Sequence, residues 1–164
     1  MRRERAPLFC TRVALDAPAC GRSTSSLDGM AALRFSDDGS ILEIDLAGWD
    51  GDAYVTVAVE SHGFKGHNDL HIVGSAFKVF CRSIVVLQRS LKGEARLLGL
   101  APEELDITIG LADSLGHIRV SGHTGYHVQW RHTSNWHAVH FGFQIEPSQL
   151  DLAVKNKWVV EHAV

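Results

Sequence analysis

The chain has 164 residues, of which 45% are apolar and 21% charged, and its formal net charge is −3 at pH 7. This length and composition are typical of a globular domain with a closed hydrophobic core. The slightly acidic balance disfavours nucleic acid as a partner, because domains that bind it carry a strongly basic face. We also expect no membrane partner, because every apolar run is far shorter than the roughly 20 residues that cross a bilayer.

Residues 1–29 combine Arg, Pro, Cys and a Ser/Thr run without a sustained hydrophobic period. We therefore expect a poorly ordered N-terminal extension, followed by a single α+β domain over residues 30–164. The cysteines, Cys10, Cys20 and Cys81, form neither a CxxC pair nor an even disulfide framework. This cysteine usage favours a reducing compartment, and we predict a cytoplasmic location.

The first part of the domain alternates apolar and polar residues, a pattern typical of strands that bury one face. Leu33 and Phe35 precede a turn at residues 37–40, and the alternation resumes over residues 42–46 and 53–61. The short turns between these segments predict antiparallel hairpins.

A long amphipathic helix is predicted at Ser75–Leu91, where apolar residues recur at steps of three and four. Gly93 is placed to end this helix, because glycine readily adopts the left-handed conformation that follows a last turn. We expect the helix to cover a sheet with one apolar stripe. The stripe consists of Phe77, Phe80, Ile84, Leu87 and Leu91.

Strand patterns return after the helix, over residues 94–98, 105–111, 117–122 and 136–146, and Pro147 then opens a short C-terminal helix. The short connections favour an antiparallel meander. The whole pattern predicts an α+β fold with a mostly antiparallel sheet of about eight or nine strands. One long central helix would cover this sheet.

Five of the ten histidines lie between residues 123 and 140, where a metal site or an acid–base site could form. Zinc needs three or four converging ligands, but this segment has no HExxH motif, no cysteine and no carboxylate. We therefore expect no cofactor. The alternative is a metal-dependent or acid–base enzyme that uses residues 123–140, with His123, His127, His132 and His137 as the metal ligands.

No motif for nucleophilic catalysis stands out elsewhere in the chain. Cys81 follows Phe80 on the predicted helix, which indicates burial rather than a reactive thiolate. Two turns instead combine polar groups with a large aromatic residue, as contact surfaces for partner proteins do. The candidate contacts are Trp49, Asp50 and Asp52 in the early turn, and Trp130, His132, Trp136 and His140 in the late one.

Three motifs carry a resemblance to a known family: Gly93-x-Ala95-x-Leu97, Gly116-His117-x-x-Val120-x-Gly122 and Phe141-x-Phe143-x-x-x-Pro147-Ser148-Gln149-Leu150. They resemble the WapI-type immunity proteins of bacterial polymorphic toxin systems, over roughly residues 33–154. Glu146 stands where that pattern usually carries Asp. The resemblance implies a non-enzymatic intracellular protein that binds and neutralises a cognate toxin. Besides a toxin-binding protein and an enzyme, a third hypothesis is a housekeeping scaffold without a toxin partner.

Overall fold

A computed structural model describes residues 32–101 and 103–164. The predicted extension at residues 1–29 lies outside these residues. The described part of the chain forms eight strands and three helices, in this order: β1 (Leu33–Asp37), β2 (Ser40–Trp49), β3 (Ala53–Ser61), β4 (Phe64–Ile72), α1 (Gly74–Ser90), β5 (Glu94–Leu98), β6 (Leu105–Leu111), β7 (Ile118–Trp130), β8 (Thr133–Ile145), α2 (Pro147–Ala153) and α3 (Lys157–His162).

The strands form two four-stranded sheets with the orders β1-β2-β3-β4 and β5-β6-β7-β8. Every pairing is antiparallel, which confirms the predicted α+β class. The prediction of one sheet with eight or nine strands is wrong. Helix α1 spans 17 residues, or about 25 Å at 1.5 Å per residue, and carries the chain away from β4. Strand β5, which follows the helix, pairs with β6 and belongs to the second sheet.

The buried faces of both sheets and of all three helices form one hydrophobic core. Leu42 and Val57 contribute from the first sheet, and Ile107 and Val120 from the second; all four are fully buried. Alternation along each strand places these residues on the inner face and leaves polar residues on the outer face.

Helix α1 buries the predicted stripe except for its last member. Phe77, Phe80, Ile84 and Leu87 are fully buried, whereas Leu91 is exposed. Leu91 adopts a left-handed conformation with φ of 48°, and its N–H donates to the carbonyl of Leu87 over 2.9 Å. The left-handed conformation of Leu91 ends the helix two residues before Gly93. The observed helix differs from the predicted one by a single residue at each end, but the predicted place of Leu91 in the buried stripe is wrong.

The C-terminal segment forms two short helices instead of the single one predicted. Pro147 begins α2 as expected, but the side chain of Asn156 accepts a hydrogen bond from the N–H of Trp158 over 3.2 Å and starts α3. Leu150 and Trp158, one from each helix, are buried in the core. None of the helices among the described residues is long and apolar enough to cross a membrane.

Candidate functional site

The long β7–β8 hairpin places the histidine-rich segment at one end of the second sheet. Its two strands have 13 residues each and pair from Ile118 with Ile145 to Trp130 with Thr133. The pairing of β6 with β7 ends earlier, where Leu105 faces Thr124. Residues 126–137 therefore continue beyond β6 as a two-stranded segment, which we call the hairpin ribbon.

The register of the hairpin brings four predicted residues together on the outer face of the sheet. His123 pairs with His140, with ring centroids 5.1 Å apart, and His127 pairs with Trp136 at 4.7 Å. Phe141 and Phe143 occupy the opposite, buried face. Because side chains alternate across a strand, the imidazoles and the indole point away from the core.

Two carboxylates complete this surface, and the sequence did not assign them to it. Asp106 on β6 pairs with His123, and the guanidinium of Arg96 donates to its two oxygens over 2.9 and 2.6 Å. Glu103 Oε2 lies 3.6 Å from His127 Nε2. The hydrogen bond from Arg96 lowers the pKa of Asp106, although burial opposes this shift. The residues Glu103, Asp106, His123, His127, Trp136 and His140 line an open cleft of about 380 Å³, which we call the outer cleft.

The four histidines named as alternative metal ligands do not converge. His123 and His127 line the outer cleft, but His137 lies on the other face of the hairpin, where its ring stacks on Tyr126 at 6.0 Å. His132 lies in the turn between β7 and β8. Within residues 32–101 and 103–164, no group of three or more His, Cys, Asp or Glu side chains could hold a metal ion. The outer cleft presents imidazole and carboxylate groups, which can donate and accept hydrogen bonds.

The candidate contacts of the late turn fall into two groups. Trp136 and His140 share the outer cleft, whereas Trp130 and His132 lie exposed at the tip of the hairpin ribbon. Trp130 pairs with Thr133 on the face opposite to that of Trp136. The structure therefore presents indole rings on both faces of the ribbon.

The candidate contacts of the early turn hold that turn against helix α1. Trp49 packs on His162 with ring centroids 4.3 Å apart, and the ammonium of Lys78 lies 5.7 Å from the centre of its ring. Asp50 accepts a hydrogen bond from the hydroxyl of Tyr54 over 2.9 Å, which lowers the pKa of Asp50. Asp52 accepts from the N–H of Gly74 over 2.7 Å. These contacts give the three residues a structural role in the turn, and Trp49, Asp50 and Asp52 remain exposed.

Asp52 supplies the acceptor that the start of α1 lacks locally. The residue before the helix, Val73, makes no side-chain capping hydrogen bond, so the carboxylate of Asp52 satisfies a helix N–H from a distant position in the sequence. The turn also approaches α1 so closely that only glycine fits at position 74. A Cβ added there would lie 1.9 Å from the carbonyl oxygen of Gly51. The sequence around the start of α1 could not have predicted this acceptor, because capping motifs use only residues next to the helix.

Cys81 is fully buried on α1 beside the core phenylalanines. Burial raises the pKa of its thiol to about 12, so the nucleophilic thiolate is scarce at neutral pH. The structure places this cysteine among the packing residues of α1.

Comparisons with family models, with curated proteins and with solved structures gave no significant match to this chain.

Proposed function

We propose that the chain is a non-enzymatic binding protein that contacts its partner through the hairpin ribbon. The observation that supports this proposal is the exposure of three large aromatic residues on adjacent strands. The exposed fractions of these residues are 48% for Tyr126, 66% for Trp130 and 39% for Trp136. Tyr126 and Trp130 lie on one face of the ribbon and Trp136 on the other, and Trp and Tyr are enriched among the residues that supply most of the binding energy of an interface. The motif resemblance supports a cognate toxin as the partner, which the chain neutralises by direct contact in the cytoplasm.

The open edge of β8 supports the same role. In the described chain β8 is hydrogen-bonded to no strand but β7. Strands β1 and β4 lie close to part of β8, so the main-chain N–H and C=O groups of its other edge are open beyond those contacts. Such an edge can pair with a strand of another protein. Main-chain hydrogen bonds would add affinity, and the aromatic side chains of the ribbon would add specificity.

The experiment uses the product of the neighbouring gene as the partner, with binding measured by calorimetry and protection measured by growth of co-expressing cells. Trp130→Ala should weaken binding by about 2 kcal/mol or more, as loss of an aromatic hot spot does, which is about thirtyfold in Kd. Leu115→Ala is the matched control, because Leu115 is exposed in the turn before β7. Equal affinities for both variants, or no complex at all, would refute the proposal.

The outer cleft favours a second candidate function, an acid–base enzyme. It gathers three imidazoles and two carboxylates in one open cleft, and general acid–base catalysis needs positioned proton donors and acceptors of these types. The stoichiometry of protection separates the two candidates. A binding protein protects at one chain per toxin molecule, whereas an enzyme would inactivate a large excess of toxin and lose this turnover in His123→Gln or His140→Gln.

A further inference from the structure

The register of the second sheet places the side chains of the outer cleft on one face. Asp106 of β6 pairs with His123 of β7, and His123 pairs with His140 of β8, so these three side chains form a row across three strands. Further along the hairpin, the pair of His127 and Trp136 lies on the same face. All five side chains therefore point away from the core and line the same cleft.

The cleft holds one carboxylate that makes no ion pair with a lysine or arginine of the described residues. Asp106 is already paired, because the guanidinium of Arg96 donates to both of its oxygens over 2.9 and 2.6 Å. The side chain of Glu103 is 76% exposed, and its carboxylate lies 3.6 Å from His127 Nε2, a contact that is an ion pair only when this imidazole is protonated. With His127 neutral, two carboxylates share the single cation of Arg96, so the cleft can accept one further positive charge.

Trp136 provides an aromatic surface beside this carboxylate. The residue is 39% exposed, and its ring lies 4.7 Å from that of His127 between centroids. Gly125 makes room for the indole, because a Cβ added there would lie 2.6 Å from Trp136 Cζ2. Since Glu103 and Trp136 both contact the imidazole of His127, one ligand group can reach the carboxylate and the indole together.

The combination of a carboxylate and an indole favours a guanidinium over an ammonium. A lysine ammonium is a compact, strongly hydrated point charge, whereas the planar guanidinium of arginine stacks on an aromatic face and directs its N–H groups to a carboxylate. The chain contains an example of each contact. Arg96 binds Asp106 through two hydrogen bonds, and the ammonium of Lys78 lies 5.7 Å from the ring centre of Trp49.

We infer that the outer cleft binds an arginine side chain from a basic segment of the protein partner. The guanidinium stacks on the indole of Trp136 and donates N–H groups to the carboxylate of Glu103. The net charge of −3 favours the approach of such a segment, because complementary charge steers association. The inference rests on the proposed function and specifies the chemistry of one contact.

The test uses a short peptide of alternating Arg and Ser residues, its Lys-for-Arg analogue and its citrulline-for-Arg analogue, each titrated into the ¹⁵N-labelled full chain. Citrulline keeps the planar end group of arginine without its charge. We expect the Arg peptide to shift the indole signal of Trp136 and the amide signals of residues 103–106, and both analogues to bind more weakly. The indole signal is assigned by its loss in Trp136→Phe.

Two substitutions that each remove one negative charge separate this contact from general attraction. Glu103→Gln should weaken binding of the Arg peptide about threefold, within the range of an exposed ion pair. Glu161→Gln is the matched control, because Glu161 is an exposed glutamate outside the outer cleft and its replacement changes the net charge equally. Trp136→Leu should also weaken binding about threefold, within the range of an exposed cation–π contact.

Equal affinities for the Arg peptide and either analogue, an unchanged affinity in Glu103→Gln, or an equal loss in Glu161→Gln would overturn the inference. A toxin that binds the wild type and Glu103→Gln equally well would also overturn it while leaving the proposed function intact. Binding of the Arg peptide in the outer cleft without any toxin complex would instead support the inference and refute the proposed function.

Discussion

Asp52 is a side chain that joins two elements 22 residues apart in the chain. It lies in the turn between β2 and β3 and accepts the N–H of Gly74 at the start of α1 over 2.7 Å. Among the described residues, Asp50 accepts hydrogen bonds from the N–H of Asp52 in the same turn and from the hydroxyl of Tyr54. The two carboxylates therefore differ in what they stabilise, although they lie two residues apart.

Replacing Asp52 should destabilise the protein through the lost cap of α1. We expect Asp52→Ala to lower the free energy of unfolding by about 1 kcal/mol, in the usual range for removal of a capping side chain. Asp52→Asn should lose less, because its amide oxygen still accepts the N–H of Gly74. Urea unfolding followed by circular dichroism measures both values. A loss in Asp52→Ala no larger than that in Asp50→Ala would contradict the capping role.

The pair of Arg96 and Asp106 predicts a dependence of stability on pH. The hydrogen bond from Arg96 lowers the pKa of Asp106 below its ordinary 3.8. The ionised carboxylate therefore stabilises the fold above the unfolded pKa of about 3.9, and this contribution is lost as the pH falls through the lower folded value. Because Asp106 is partly exposed and Arg96 half exposed, solvent screening limits the contribution to about 1 kcal/mol or less.

The measurement for this pair compares the wild type with Asp106→Asn in urea at a series of pH values. The difference in the free energy of unfolding should be constant near neutral pH and should shrink below about pH 4. Groups that titrate equally in both proteins cancel in the difference. A gap that widens as the pH falls would contradict the assigned direction of the pKa shift.

The sequence could predict which face of a strand a residue occupies, but not which distant residue lies beside it. His140 precedes Phe141 in the alternating pattern of β8, and it lies on the outer face, where it is exposed, whereas Phe141 is buried. The neighbours of His123 depend on the register of β6 with β7, where it pairs with Asp106. Register is set by long-range pairing and turn geometry, so the two carboxylates of the outer cleft could not be assigned from local pattern.

Helix α1 buries four of the five residues of its predicted stripe, and the stripe makes a direct prediction. Phe80→Ala and Ile84→Ala should each cost roughly 2 to 5 kcal/mol, because both side chains are fully buried and their loss leaves a cavity. Arg82→Ala should cost little, since its guanidinium makes only an exposed hydrogen bond to the carbonyl of Val164. Thermal and urea unfolding compare the three variants. Equal small losses would contradict the buried stripe.

The boundaries and grouping of the elements were less predictable than their type. Leu91 continues the apolar spacing of α1, yet the helix ends at that residue through a left-handed turn. Apolar spacing also continues from Leu150 to Trp158, but Asn156 caps a new helix between them. The left-handed backbone of Leu91 and the capping side chain of Asn156 override the periodicity at these two places. Likewise, alternation shows that a strand buries one face without showing which sheet it joins.

At the scale of the whole molecule, two separate sheets share one core and are joined by side-chain amides. Asn68 connects β4 to Gly125 of β7 over 2.8 Å. Gln149 at the start of α2 connects to β1: its amide nitrogen donates to the carbonyl of Ser36 over 2.7 Å, and its oxygen accepts the N–H of Ser36 over 2.8 Å. The outer edge of β1 is thereby paired with α2, which follows directly from β8.

Gln149→Ala tests whether this junction stabilises the molecule as one unit. The substitution leaves both partly buried backbone groups of Ser36 without their partner, so we expect a loss of about 1 to 3 kcal/mol. Gln144→Ala is the matched control, because Gln144 lies exposed on β8 and should cost within about 0.5 kcal/mol. Because both sheets share the core, the urea transition should shift equally by tryptophan fluorescence and by far-UV circular dichroism. Two separate transitions, or equal stability of the two variants, would show that Gln149 does not couple α2 and β1 to the common fold.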